Sequence, residues 1–368
     1  MPKINPDRLR ELREHAGFSQ AELAKSLDVD TSLISRWENG AREPSLSQLM
    51  VTARILGVTL DYLLHSRLEV HFQFRSKKTL NATEKAAIER ALVDAEMQLH
   101  NLDACYTLSK QLPKPFTLKM DFYPQQVATI AAQMRDTLKL NLRVTLEELK
   151  QALTELNVHV FEWLLPWEMS GLSYRNAFTV IFLNYHHTKE RRLFTLAHEL
   201  AHILFHLGRD TRQTIVSLIA SNREPEEKEA NAFAAELLIP EATLNTFVEK
   251  FGRELRQIAV LDSVARWFNV SRQALFYRLV EKDIFTWQDK RFYFTAPKTE
   301  LTLAPVRVKT IEEQVAPEFL RLALQVYDQK QISAGKLKEW FLTDRITLEE
   351  FLTKRSEIVE DVLEFEEE

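Results

Sequence analysis

The sequence has 368 residues, 45% of them hydrophobic and 27% charged, with a formal net charge of -5; this excludes a disordered polymer or a small stapled scaffold and predicts two or three globular domains. With only 7 glycines and 12 prolines, long helices with some short strands are expected, and an all-β sandwich is not. The single cysteine, Cys105, can neither close an intramolecular disulfide nor build a thiolate zinc site, so any metal must be held by histidines and carboxylates.

The opening MPKINPDRLRELREH carries charges where a secretory leader needs an apolar core, and no stretch offers about 18 uninterrupted apolar residues. A cytoplasmic chain with no membrane partner is expected. The last 13 residues, SEIVEDVLEFEEE, hold seven acids and no base, which leaves about +2 for the rest, so whole-chain charge decides little about nucleic-acid binding.

Residues 1–66 read as a compact bundle of four or five short helices punctuated at Gly17-Phe18-Ser19, Asp28-Val29-Asp30, Asn39-Gly40 and Gly57-Val58. Residues 67–155 read as a mostly helical connector and lead-in: a strand over Leu68–Phe74, a long helix over Thr83–Lys110, and a proline-rich break at Leu112-Pro113-Lys114-Pro115. A third region, 156–290, opens with VHVFEWL and AFTVIFLNY, whose β-branched and aromatic residues predict two or three strands around a Pro-Trp and Ser-Gly loop. Helices dominate from Glu190. In 291–368, RFYFTA and Thr302–Val308 are candidate strands, followed by helices and an acidic tail. The fold class expected is mainly α with a small α+β part.

Within the first region, FSQAELAKSLDVDTSLISRWENG carries a helix-turn-helix pattern. Ser19 can cap a helix with Leu23, Ala24 and Leu27 on its apolar side, and the Asp28-Val29-Asp30 turn leads into a second helix with Ile34 and Trp37 turned inward. The outward residues Thr31, Ser32, Ser35 and Arg36 are then placed to touch base edges or phosphates in a major groove, and Gln20 to brace a phosphate or a recognition residue. The stretch Leu9–Leu64 closely resembles the XRE, or lambda-repressor-like, DNA-binding domain, which implies a five-helix fold that binds operator DNA, usually as a dimer. Against a basic footprint, residues 1–65 hold eight Lys or Arg and nine Asp or Glu, a net of -1.

The second chemical signal is HELAH, His198 to His202, inside RLFTLAHELAHILFH. Histidines at i and i+4 lie one above the other on a helix and can share one zinc, while Glu199 beside the first can take a proton from water. A catalytic zinc takes three protein ligands, and the segment EPEEKEANAFAAELLIP offers the third. Glu229 shares a face with Ala232, Phe233 and Glu236, which points it toward the metal; Glu226 and Glu227 lie nearer the start and are expected to face water. Asn231, nearly opposite Glu229 on the wheel, reads as a backbone brace. His206 continues the i, i+4 series, but on a regular helix it lies about 12 Å along the axis from His198, so a supporting role is expected.

HELAH, EANAFAAELLIP and VARWFNVSRQALFYRLVE together resemble the ImmA/IrrE family of metallopeptidases over roughly residues 155–290. The resemblance implies a small zincin-like α+β domain, one zinc per chain held by His198, His202 and Glu229, and Glu199 as general base. Similar proteins cut repressors that carry a helix-turn-helix. The expected function is a site-specific zinc endopeptidase fused to a DNA-binding domain, acting on a repressor or antitoxin in a stress-response, mobile-element, toxin-antitoxin or phage-defence setting. The alternative is a transcriptional regulator or antitoxin whose peptidase-like domain senses or binds without cutting. LDSVARWFNVSRQALFYRLVE could form a second helix-turn-helix, with Ser271, Arg272 and Gln273 outward; packing is its more ordinary use.

Overall fold

The structure, a computed structural model, describes residues 4, 6–58, 60–64, 73–74, 81–118, 120–207, 214–218, 224–295, 310–341 and 347–355. The chain divides into two compact units: Met1–Val70 with Leu80–Leu112 and Phe319–Glu368, and His71–Thr79 with Pro113–Glu318.

The first unit opens with five helices, α1 (Pro6–His15), α2 (Gln20–Leu27), α3 (Thr31–Glu38), α4 (Leu46–Leu56) and α5 (Leu60–Leu64). Local chemistry sets their limits. Ser19 accepts from the Glu22 amide while the Glu22 carboxylate accepts from the Ser19 amide, a capping box that starts α2. Asp28 takes the left-handed conformation that stops it, and Asp30 accepts from the Ser32 amide to start α3. Leu23, Ala24, Ile34 and Trp37 are buried together, as the sequence pattern required.

The long helix read as a connector, α6 (Ala82–Ser109), belongs to this same unit. Its Val93 and Met97 complete the bundle core. Arg90 donates to the Leu56 and Gly57 carbonyls at the end of α4 (3.0 and 2.8 Å), and Glu96 accepts from Arg8 at 3.1 Å. Later in the chain, α16 (Pro317–Asp328) and α17 (Ala334–Phe341) pack Phe319 against Trp340 and Phe341.

The second unit is built on a five-stranded sheet in the order β1-β5-β3-β4-β2, with β1 (Gln73–Phe74), β2 (Val158–Trp163), β3 (Met169–Arg175), β4 (Thr179–Asn184) and β5 (Thr214–Leu218). β3 runs antiparallel to β4 and β5, whereas β2 pairs parallel with β4 and β1 with β5. Every residue of β4 and nearly every one of β2 is buried, as in strands covered on both faces. Around the sheet lie α7 (Val127–Thr137), α8 (Leu146–Glu155), α9 (Lys189–Ala201), α10 (Pro225–Leu238), α11 (Glu241–Phe251), α12 (Ile258–Trp267), α13 (Arg272–Val280), α14 (Lys290–Thr295) and the short α15 (Ile311–Gln314). Val160, Ile181, Leu183 and Ile215 share one core with Leu193, Leu196 and Leu200 of α9.

Two expectations about elements change, and others fall wholly or partly outside the described residues. Of the strand expected over 68–74, Gln73–Phe74 is described as strand and the rest lies outside the described residues, as do Thr302–Val308 and the acidic tail beyond residue 355. Of RFYFTA, residues 291–295 lie in helix α14 and not in a strand: a turn closed by Thr286 and Asp289 launches it, and the helix buries Tyr293 against Phe276 and Phe285. β5 arises in a region expected to be helical, paired along β3.

Candidate functional site

The helix α9 starts at Thr188, whose hydroxyl accepts from the Arg191 amide, and its last turn carries the HELAH motif. It then passes directly into one π-helical turn, His202–His206. Such turns are rare and recur at functional sites. Here it brings His206 against His202, with the two Nδ1 atoms 2.7 Å apart. Arg175, at the end of β3, donates to the Ile203 carbonyl at 2.9 Å inside this turn.

The Nε2 atoms of His198 and His202 lie 3.0 Å apart. The carboxylate of Glu227 on α10 faces both, with Oε2 3.3 Å from His198 and Oε1 3.3 Å from His202. All three residues are buried, and their donor atoms lie within 4.8 Å of one another. Among the described residues this is the sole such group of three or more His, Cys, Asp or Glu. Glu229, expected to complete the cluster, instead faces His206, with Oε2 3.1 Å from its Nε2.

Helix geometry explains the difference. Glu227 continues the buried stripe of Ala230, Ala234, Leu237 and Leu238 on α10, and residues at i, i+3 and i+7 share a face. Glu229 is two residues, about 200°, away from it. Asn231, four residues after Glu227, is on the inner face as well: its Oδ1 lies 3.1 Å from His198 Nδ1, so it braces a side chain and not the backbone. Accepting from Nδ1–H, it leaves the Nε2 lone pair of His198 directed at the cluster.

Glu199 points from α9 at the sheet. Gly171 of β3 leaves room for it: a Cβ there would sit 2.9 Å from Glu199 Oε1 and 2.9 Å from Thr195 Cγ2. Both carboxylate oxygens of Glu199 are buried, and among the described residues neither makes a hydrogen bond of normal geometry. Burial pushes this carboxyl up to about 7, against the opposing pull of His198 and the nearby hydroxyls of Ser217 and Ser173. Burial likewise lowers His202 to about 3. For Glu227 burial acts upward, but its bonds to His198 and His202 outweigh it and hold the carboxyl well below the usual range. Burial acts downward on His198, where the bond to Glu227 and the charge of Glu199 prevail and the imidazole is raised.

Of the polar residues just before or within α9, Arg192 pairs with Glu162 of β2, and His187 stacks edge-on with Trp167. In the first unit, Thr31, Ser32 and Arg36 are exposed and Ser35 is half-buried. Gln20 donates to the buried Glu38 at 2.8 Å, and Glu38 also accepts from Arg13 at 2.6 and 3.1 Å. Gln20 thus fastens α2 to the end of α3. In the second helix pair, Arg272 grips Asp262 through two hydrogen bonds (2.5 and 2.7 Å) and the Tyr293 carbonyl at 3.0 Å, a packing role.

Fold and site together define a DNA-binding helix-turn-helix protein with a metallopeptidase-like domain. The chain belongs to the XRE-type helix-turn-helix regulators and carries an ImmA/IrrE-like domain: residues 9–63 match the family profile described as Helix-turn-helix, and residues 153–280 match the IrrE N-terminal-like domain of a peptidase family. It is 35% identical over 57 residues to the HTH-type transcriptional regulator ImmR of Bacillus subtilis, covering 16% of this chain and 45% of that one. It is 35% identical over 78 residues, 21% of this chain and 69% of the other, to the SPbeta prophage-derived HTH-type regulator YonR of the same organism. A third relative, the HTH-type regulator YqaE, is 34% identical over 79 residues, 21% of this chain and 68% of its own. The match thus spans less than half the length of ImmR and about two thirds of the other two. No helix among the described residues is long and apolar enough to cross a membrane.

Proposed function

We propose that the protein is a cytoplasmic, zinc-dependent site-specific endopeptidase coupled to an operator-binding domain, and that it cleaves a helix-turn-helix repressor or antitoxin to control transcription. The observation that carries this reading is the convergence of His198 Nε2, His202 Nε2 and the Glu227 carboxylate, with Glu199 buried beside them. Two imidazoles and one carboxylate are the donor set of a catalytic zinc site that keeps a position open. The fit extends outward, since Asn231 meets the far nitrogen of His198 and His206 that of His202, as ligating histidines require.

His198, His202 and Glu227 would hold the ion, one per chain. When bound, it supplies a Lewis acid that polarises a peptide carbonyl and acidifies water. Glu199 would accept the proton of the attacking water and return it to the leaving amine. A carboxyl pushed up to about 7 by burial is suited to both halves of that exchange. Thr31, Ser32, Ser35 and Arg36 would face DNA, with the protein acting as a homodimer on its operator. Residues 1–66 would serve as the DNA-binding domain and 156–290 as the peptidase, joined by 67–155 and followed by 291–368.

The relatives are named as regulators, which favours as second reading a regulator whose metal-binding domain senses without cutting. Glu199→Gln separates the two. An endopeptidase loses cleavage of its repressor, here on the order of 10²-fold or more, while zinc content and operator binding persist; undiminished cleavage or regulation by the variant refutes the peptidase mechanism.

A further inference from the structure

Resting on that reading, we infer that His206 and Glu229 are positioning residues that fix the ring orientation and tautomer of His202. The π-helical turn places His206 Nδ1 2.7 Å from His202 Nδ1, and Glu229 Oε2 lies 3.1 Å from His206 Nε2. One of the two facing Nδ1 atoms must donate and the other accept. A carboxylate accepts only, so it takes the Nε2–H of His206; neutral His206 then has only a lone pair at Nδ1, which accepts from His202 Nδ1–H. That leaves the Nε2 lone pair of His202 directed at Glu227 and His198. The opposite tautomer would set a lone pair of His206 against a carboxylate and a proton of His202 into the donor cluster.

The chain Glu229–His206–His202 therefore does for the second histidine what Asn231 does for the first. It starts at a carboxylate whose side chain is 32% exposed and ends at a fully buried imidazole. His206 stands four residues after His202, the spacing that sets neighbours on one helix face, and within the π turn the two Nδ1 atoms come to 2.7 Å. Glu229 accordingly belongs to the support of the site and not to its ligands.

The test is zinc affinity of the full-length protein, measured by chelator competition, together with the visible absorption of the cobalt-substituted protein. Glu229→Ala and His206→Phe are expected to weaken zinc binding about 10–100-fold and to alter the cobalt spectrum. Glu229→Gln, whose amide oxygen still accepts from His206, is expected to stay near wild type. The comparison survives misfolding of the His206 variant, because Glu229 is partly exposed. Wild-type affinity in Glu229→Ala overturns the inference and leaves the metal site standing. Loss of zinc in Glu229→Ala as complete as in His198→Ala, with Glu227→Ala unaffected, also overturns it by making Glu229 a ligand. If the wild-type protein takes up no zinc or cobalt, the proposed function itself fails, a result distinct from either.

Discussion

Gly171 is the residue where packing and chemistry meet most closely, and Gly171→Ala tests both. The added methyl would sit 2.9 Å from Thr195 Cγ2, 2.9 Å from Glu199 Oε1 and 3.1 Å from Glu199 Cγ, where ordinary contact begins near 3.4 Å. The Glu199 oxygen can swing away, but Thr195 is β-branched on a buried helix and its rotamer is stiff. β3 and α9 must therefore separate by a few tenths of an ångström, or Glu199 must leave its place. Overpacking of this kind costs about 1–3 kcal/mol, which lowers the melting temperature of a unit this size by roughly 3–10 °C. Thermal unfolding of the wild type, Gly171→Ala, Thr195→Ser and the double variant supplies the assay. Removing Cγ2 should relieve the clash, so the double variant is expected to be more stable than the sum of the single effects by about 0.5–3 kcal/mol. Additive effects, or an unchanged melting temperature in Gly171→Ala, would refute the account of why glycine stands there.

Two further outcomes are expected. Burial pushes His159 of β2 down to about 4, so the folded protein keeps it neutral while the unfolded chain protonates it near 6.5; more protons on the unfolded chain mean that stability falls as pH drops from about 6.5 to 4, by ~3 kcal/mol for this group. Urea unfolding of the wild type and His159→Phe at pH 7 and 4.5 measures it, and an identical pH dependence in both would contradict the assignment. In the helix-turn-helix, Glu38→Ala leaves Arg13 with the more exposed carboxylate of Glu14 and removes the acceptor of Gln20, so it should destabilise the bundle by about 1–3 kcal/mol; circular dichroism melts that match the wild type would show the network to be dispensable.

What the sequence revealed and what it hid follow from the range of the interactions. The helix-turn-helix is written in neighbouring residues, Ser19 with Glu22 and Asp30 with Ser32, and so could be read directly. HELAH is likewise local, two histidines four positions apart on one helix face. The choice between Glu227 and Glu229 is not local, because it depends on which side of α10 meets α9. The signal was nonetheless present: Glu227, Ala230, Ala234 and Leu238 form a helical stripe, and Asn231 stands one turn after Glu227 on the same side. His206 was legible as a supporting residue from its place in the i, i+4 series, whereas the π turn that carries it leaves no plain mark in HILFH. β3 was obscured by MSGLSYR, which has no β-branched residue and owes its strand to pairing on both edges. Gln20 faced two readings as a polar residue at a helix start, and its partner, Glu38, lies 18 residues away.

The joint between α6 and the DNA-binding bundle bears on how the protein can be dissected. A cut at residue 66 follows the sequence motif, but it strips Val93 and Met97 from the bundle core and takes Arg90 from the carbonyls that end α4. The fragment would expose an apolar patch, a hazard for solubility, and would take the Arg90 donor from the Leu56 and Gly57 carbonyls at an end otherwise capped by Gly57. The recognition module is in this sense larger than its motif: the long helix is a wall of the bundle, and a force that tilts it acts directly on the end of α4 through Arg90 and on α1 through the pair of Glu96 and Arg8.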